Sequence, residues 1–237
     1  MDQGVKAESL FDRSARDFAA GTDALINAGR YTRGHLFVAA VKRAVNAGGE
    51  VLDYGCGPGR LARLIATEGY RVLGVDPSAG MLEEAERQSA AGLQMAFKQQ
   101  NDNGESLDTA RFDSIVCSST IEYVENPGGL LKNFWRALKP GGALVISYSN
   151  RLSLWRWYSA RQGSDRLPHL QFQKNIWSFG EFKKILEAAS FTVESGPGFF
   201  DAAPFDKRDW LRGLSSLSLI GTLGLVVARR MERAGES

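Results

Sequence analysis

Val51-Leu52-Asp53-Tyr54-Gly55-Cys56-Gly57-Pro58-Gly59, followed by Arg71-Val72-Leu73-Gly74-Val75-Asp76, is the stretch that decides how this chain folds. A short apolar run enters a turn in which every second residue is glycine, and the amphipathic stretch Leu61-Ala62-Arg63-Leu64-Ile65-Ala66 follows it directly. An apolar run of strand length, glycine punctuation and helical periodicity in succession predict strand, tight turn and helix. Glycine carries no Cβ and reaches positive φ, so such a turn lets a ligand approach the backbone closely. The second apolar run ends on Asp76, which puts a carboxylate at the carboxyl edge of a neighbouring strand, where open α/β sheets bind their ligands.

Glycine spacing narrows the ligand. A dinucleotide turn has the pattern G-x-G-x-x-G, with pyrophosphate on the helix N-terminus. This chain reads Gly55-x-Gly57-x-Gly59, and Arg60 stands where the third dinucleotide glycine would be. Asp53 precedes the glycines, and a carboxylate there repels pyrophosphate while favouring an ammonium or sulfonium ligand. Asp76 is placed as the acidic residue that meets the ribose hydroxyls in dinucleotide enzymes. Glycines alone also suit an ordinary tight turn; the two aspartates in register turn the reading towards S-adenosyl-L-methionine.

With these residues the chain resembles a class I S-adenosylmethionine-dependent methyltransferase of the small-molecule type. Phe112-Asp113-Ser114-Ile115-Val116-Cys117-Ser118-Ser119-Thr120-Ile121-Glu122-Tyr123-Val124 is similar to the family's fourth strand and the loop after it. Arg136-Ala137-Leu138-Lys139-Pro140-Gly141-Gly142-Ala143-Leu144-Val145-Ile146-Ser147 resembles its helix, Lys-Pro-Gly-Gly turn and fifth strand. The resemblance implies a doubly wound α/β fold: a seven-stranded, mostly parallel sheet with helices on both faces and the last strand antiparallel. Family members often carry Glu-His after the fourth strand; this chain has Glu122-Tyr123, so no role of that histidine carries over. The resemblance also implies an acidic residue after the third strand that accepts from the adenine amino group, and Asp102 is the candidate.

Alternating patterns along the chain agree with a parallel sheet covered on both faces. Helices are expected near 8–20, 33–46, 78–89 and 127–138, and strands from Val51 and near 71–75, 93–98, 112–117 and 142–148. The resemblance adds a final strand pair near 191–197 and 222–229, with glycine turns at Gly196 and Gly198. The 237 residues form one domain in this reading, with an N-terminal helical cap over 1–47 and an insertion over 149–177 that acts as a substrate lid. Apolar residues at 43% and charged residues at 24% are ordinary for a folded soluble domain. A formal net charge of +2 gives no nucleic-acid footprint. Two cysteines, Cys56 and Cys117, make no disulfide framework. The N-terminus has no signal-peptide core, and the apolar run from Leu214 to Ala228 is too short and too interrupted to span a bilayer. A cytoplasmic protein is expected, with peripheral membrane contact through 149–177 left open.

Ligands in such sheets lie outside the carboxyl ends of the strands. The cofactor-binding candidates are therefore Asp53, Gly55, Cys56, Gly57, Gly59, Asp76, Pro77, Met81, Asn101, Asp102, Asn103, Ser118 and Ser119. Asn101-Asp102-Asn103-Gly104 is also strong turn chemistry and lacks the alternating ligands of a calcium loop, so no metal is expected. Methyl transfer is an in-line displacement in which positioning dominates and a base is optional. His169, Glu122 and Tyr123 are the catalytic candidates, whereas His35 reads as a surface or packing residue. In the insertion, where three of the five tryptophans fall, Trp155, Tyr158, Arg151 and His169 are the substrate candidates. They suit a bulky aromatic or lipophilic methyl acceptor, a helix packed on the core, or a segment resting on anionic membrane. Nucleic-acid methylation is disfavoured: Ser118-Ser119-Thr120-Ile121 stands where those enzymes carry Asn- or Asp-Pro-Pro-aromatic, and neither cysteine follows a proline. A protein methyltransferase, or a non-catalytic S-adenosylmethionine-binding protein, is the alternative.

Overall fold

The computed structural model describes residues 32–100, 103–154, 156–157, 172–200 and 221–231. Its elements run α1 (Thr32–Ala44), β1 (Glu50–Tyr54), α2 (Arg60–Thr67), β2 (Arg71–Asp76), α3 (Ala79–Arg87), β3 (Met95–Gln99), β4 (Phe112–Cys117), a 3₁₀ turn (Ile121–Tyr123), α4 (Pro127–Ala137), β5 (Leu138–Ser149), α5 (Phe179–Ala188), β6 (Phe191–Phe200) and β7 (Leu223–Arg230). One seven-stranded sheet has the order β3-β2-β1-β4-β5-β7-β6. β7 runs antiparallel to both β5 and β6, and the other described pairs are parallel. The doubly wound sheet and its antiparallel last strand follow the expectation. The expected helix at 8–20 lies outside the described residues.

The helix starts are legible as caps. Ser78 accepts from the Met81 N–H, Asn126 accepts from the Gly129 N–H ahead of Pro127, and Ser178 with Glu181 forms a reciprocal capping box. α4 stops at Ala137, and β5 begins with the Lys-Pro-Gly-Gly segment itself, so the strand starts earlier than position 142. Gly196 and Gly198 correct the sequence reading: they are not turns but lie inside β6, where its register against β7 shifts twice. Glycine inside a strand commonly marks such irregularities.

Two apolar layers sandwich the sheet. Phe134, Leu130 and Leu131 of α4 and Phe182 and Leu186 of α5 cover one face, while Phe37, Val41, Leu61 and Ile65 of α1 and α2 cover the other. Both faces of β1, β4 and β5 are therefore buried, and their continuous apolar runs reflect it. Arg230 is a buried exception at 6% exposure. Its Nη1 donates to the carbonyls of Trp135 (3.2 Å), Arg136 (3.4 Å) and Leu138 (2.5 Å), and its guanidinium lies 4.0 Å from the Trp135 ring centre. The cation thus caps the carbonyl end of α4, where the helix dipole is negative. Arg230→Met leaves those carbonyls without the cation and is expected to cost about 2–4 kcal/mol. Thermal unfolding should show a loss of roughly 5–15 °C for a domain of this size; an unchanged melting temperature would remove the cap from the account.

Candidate functional site

A cleft of about 240 Å³ opens at the carboxyl ends of β1, β2 and β4. Asp53, Gly55, Cys56, Gly57, Pro58, Asp76, Pro77, Met81, Ser118, Ser119 and Tyr123 line it, and so do Arg33, Arg60, Leu61 and Thr120. β1 carries Asp53 to the cleft floor, where it is 1% exposed. The Ala62 N–H donates to its carboxylate, but Oδ2 has no hydrogen-bond partner. Burial, with the Asp76 carboxylate adding repulsion, pushes Asp53 up to about 7. Burial and the same two carboxylates push the Cys56 thiol well up, so it stays neutral.

The three glycines do different work. At Gly55 (φ +72°) a Cβ would lie 2.2 Å from the Thr120 Oγ1, and at Gly59 (φ +71°) it would lie 2.7 Å from the Phe97 ring. At Gly57 (φ +51°) the nearest atom to such a Cβ is the Met81 sulfur at 4.0 Å. Gly55 therefore admits the loop after β4, Gly59 packs α2 against β3 and is off the cleft wall, and Gly57 keeps the cleft open. Asp76 holds this turn: its Oδ2 accepts from the Gly57 N–H at 2.9 Å and its Oδ1 from the Ser78 N–H at 3.0 Å.

Arg33 is, of the cleft residues absent from the sequence candidates, the one that comes from farthest along the chain. It reaches from α1 and donates to the Ser119 Oγ at 3.0 Å. Ser119 has φ +54°, a strained conformation for a residue with a side chain, and its N–H donates to the Ser147 Oγ at 2.8 Å. No local signal marks Arg33, because its proximity to β4 is set by helix docking across 86 positions of chain.

Glu122 and Tyr123, adjacent in sequence, part in space. Tyr123 faces the cleft, while Glu122 is 1% exposed and does not line it. The Ser149 Oγ donates to the Glu122 Oε1 at 3.2 Å. The same Oγ accepts from the Arg156 Nη2 at 2.7 Å and the Gln173 Nε2 at 3.1 Å. Gln173 also hydrogen-bonds Tyr123. Burial raises Glu122, against Ser149, Arg33 and Arg156, which favour its charge. Burial and then the Glu122 charge raise Tyr123, which keeps its phenol protonated at neutral pH.

Other candidates lie elsewhere. Arg151 is exposed, donates to the Ile176 carbonyl at 3.0 Å and pairs with Glu181 at 3.3 Å, away from the cleft wall. Asn103 is exposed at φ +52°, its carbonyl accepting from Asn133. His35 is exposed on α1, the surface rather than the packing reading of that residue. Asn101, Asp102, Trp155, Tyr158 and His169 lie outside the described residues. Among the described residues no cluster of histidine, cysteine and carboxylate side chains could hold a metal, and no helix is long and apolar enough to cross a membrane.

Comparison with known proteins agrees with the doubly wound sheet. A ubiquinone biosynthesis O-methyltransferase of Coxiella burnetii is 39% identical over 106 residues, 44% of this chain and 45% of that protein, so the chain spans less than half of that relative. A protein of the same name from Xylella fastidiosa is 28% identical over 171 residues, covering 71% of this chain and 69% of its own length. Among solved structures, a magnesium protoporphyrin IX methyltransferase from Synechocystis with bound SAH superposes with a TM-score of 0.65 at 20% identity, over 86% of this chain and 84% of that one. An S-adenosylmethionine-dependent methyltransferase from Mesorhizobium loti gives 0.63 at 22% identity, over 81% and 96%. At these identities the two structures speak for the fold alone. The model of the methyltransferase domain matches residues 28–195, and the chain belongs to that family.

Proposed function

We propose that this protein transfers a methyl group from S-adenosyl-L-methionine to an oxygen or nitrogen of a small molecule, aromatic or lipophilic in character. The observation that carries the reading is the buried Asp53 Oδ2, unpartnered beside the opening that Gly57 leaves. A buried carboxylate oxygen without a donor is costly, and a ligand ammonium offsets that cost. Arg33 on the same cleft wall complements a carboxylate, so Asp53 and Arg33 together suit the zwitterionic amino-acid end of the cofactor. The Asp76 carboxylate at the end of β2 suits a ribose diol, and the Met81 and Leu61 side chains give the cleft apolar wall. Bound there, the cofactor supplies an electrophilic methyl on a sulfonium centre.

The remaining work is positioning. Ser119 and Tyr123 stand on the wall after β4 and would orient the acceptor, Tyr123 as a neutral hydroxyl rather than a base. Closure of the cleft removes water, which strengthens each of these polar contacts. An aromatic or lipophilic acceptor is supported by the tryptophan-rich 149–177 segment, which we assign to the acceptor side as a lid, and by the names of the ubiquinone-pathway relatives. Leu152, Leu154 and Trp157 are more than half exposed beside Arg151, an apolar and basic combination that also supports peripheral contact with an anionic membrane.

Calorimetry with S-adenosylhomocysteine, S-adenosylmethionine and NAD tests the reading: both sulfur nucleosides should bind at micromolar concentration and NAD should not, and the reverse order would overturn it. Asp76→Ala is expected to weaken S-adenosylhomocysteine binding by about 1–3 kcal/mol, the worth of charge-assisted hydrogen bonds. Unchanged affinity in the folded variant would remove the ribose from Asp76. The pH dependence has a definite sign. Below about 7 the free protein holds a proton on Asp53 that the ligand ammonium must displace; above it the carboxylate is ready. Affinity should therefore rise as pH goes from 6 to 8, by up to roughly tenfold for a single displaced proton, and Asp53→Asn should flatten the profile. A profile equally steep in Asp53→Asn would assign the titration to another group.

A further inference from the structure

We propose that Glu122 is a positioning residue that sets the Tyr123 hydroxyl on the cleft wall through Ser149 and Gln173. The inference rests on the reading above that Tyr123 faces the methyl acceptor. A serine hydroxyl has one proton and two lone pairs. At Ser149 both lone pairs are taken, by the Arg156 Nη2 at 2.7 Å and the Gln173 Nε2 at 3.1 Å, so its proton is directed to the Glu122 Oε1 at 3.2 Å. Glu122 thereby fixes the rotamer of a hydroxyl that in turn orients the Gln173 amide. That amide is the group that hydrogen-bonds Tyr123.

The backbone makes the same link. The Glu122 carbonyl accepts from the N–H groups of Lys174 (2.8 Å) and Asn175 (3.0 Å), and the Asn175 Nδ2 donates to the Val124 carbonyl at 2.7 Å. The chain around Gln173 is therefore tied to the turn that carries Tyr123 from two sides. On the other side Ser149 ends β5, and its carbonyl accepts from the Trp177 N–H at 3.0 Å. Ser149, fully buried, is the point where the strand, the Arg156 stem and the Gln173 stem meet.

Glu122 serves as acceptor and anchor rather than as a base in contact with substrate, because its side chain is sealed from the cleft. Its Oε2 is buried without a hydrogen-bond partner. Keeping such a group in place of an apolar one is costly. The cost is explained if the ordered network it completes is what holds the acceptor wall. Arg33 and Arg156 are the cations whose fields reach it, one from α1 on the cleft wall and one from the stem after β5. Their fields favour the charge that burial disfavours, and Oε1 accepts the Ser149 proton whether or not the carboxyl is charged.

The test uses the full chain and needs no acceptor. Ring carbon-13 labelling of the six tyrosines, with Tyr123 assigned by Tyr123→Phe, gives a resonance that reports the setting of that ring. Glu122→Ala and Ser149→Ala should each displace the Tyr123 signal while leaving Tyr54, Tyr70 and Tyr148 in place, and the double variant should displace it no further than either alone. Glu122→Gln, which keeps an acceptor for Ser149, should restore the wild-type position and provides the folded variant if Glu122→Ala does not fold. A Tyr123 signal unmoved in folded Glu122→Ala or in Ser149→Ala, additive shifts in the double variant, or a signal displaced from the wild-type position in Glu122→Gln would each overturn the proposal. Titration of the wild type with S-adenosylhomocysteine stands apart: its failure would remove the cofactor reading, while the tyrosine shifts would still decide the network.

Discussion

The buried carboxylate of Asp53 is the constraint around which the rest of this molecule is arranged. It sits at the carboxyl end of a central strand, 1% exposed, beneath a turn that has to be glycine-rich. A carboxylate in such a place needs donors, and α2 provides one through the Ala62 N–H because its first turn points back at the strand it follows. The second oxygen is left for whatever enters the cleft. Asp76 cannot relieve it, since its own charge repels Asp53 and its oxygens hold the Gly57 and Ser78 amides. The sheet order supports the same point. With β1 flanked by β2 and β4, both aspartates and the loop bearing Ser119 and Tyr123 come out at one edge.

Local chemistry made most of the fold legible. The helix starts near 78 and 127, the apolar runs of β1, β2 and β4, and the glycine turn each act within a few residues and fell where the sequence placed them, whereas α5, opened by the equally local capping box at Ser178, was not read from the sequence. β6 was harder, because Gly196 and Gly198 read equally well as turns or as strand irregularities. Only their pairing with β7, set by distant residues, decides between them. The cleft follows the same division. Asp53, Gly55, Cys56, Gly57, Asp76, Pro77 and Met81 lie on or beside two consecutive strands, so spacing alone located them. Arg33 and Gln173 join the site across long stretches of chain, and nothing in their immediate neighbours announces it. Gly59 shows the limit from the other side: it belongs to the motif, yet what it contacts is Phe97 and Ala85 of the packing beneath α2.

Glu122 and Asp53 show how one domain handles two buried acids differently. Both are 1% exposed and both keep one oxygen without a partner. Asp53 opens to a cleft, with a second carboxylate nearby, so its charge is poorly compensated until a cation arrives. Glu122 is closed in by Ser149, with Arg33 and Arg156 favouring its charge, and its compensation is internal. An acid compensated by ligand makes stability and binding depend on each other, because folding leaves it incomplete. An acid compensated by its own surroundings instead gives rigidity, since each partner of its network limits the others. In the function proposed above, the arrangement would separate the two demands of methyl transfer along one cleft: a cofactor end at Asp53 that gains most when filled, and a wall at Tyr123 already set before an acceptor arrives.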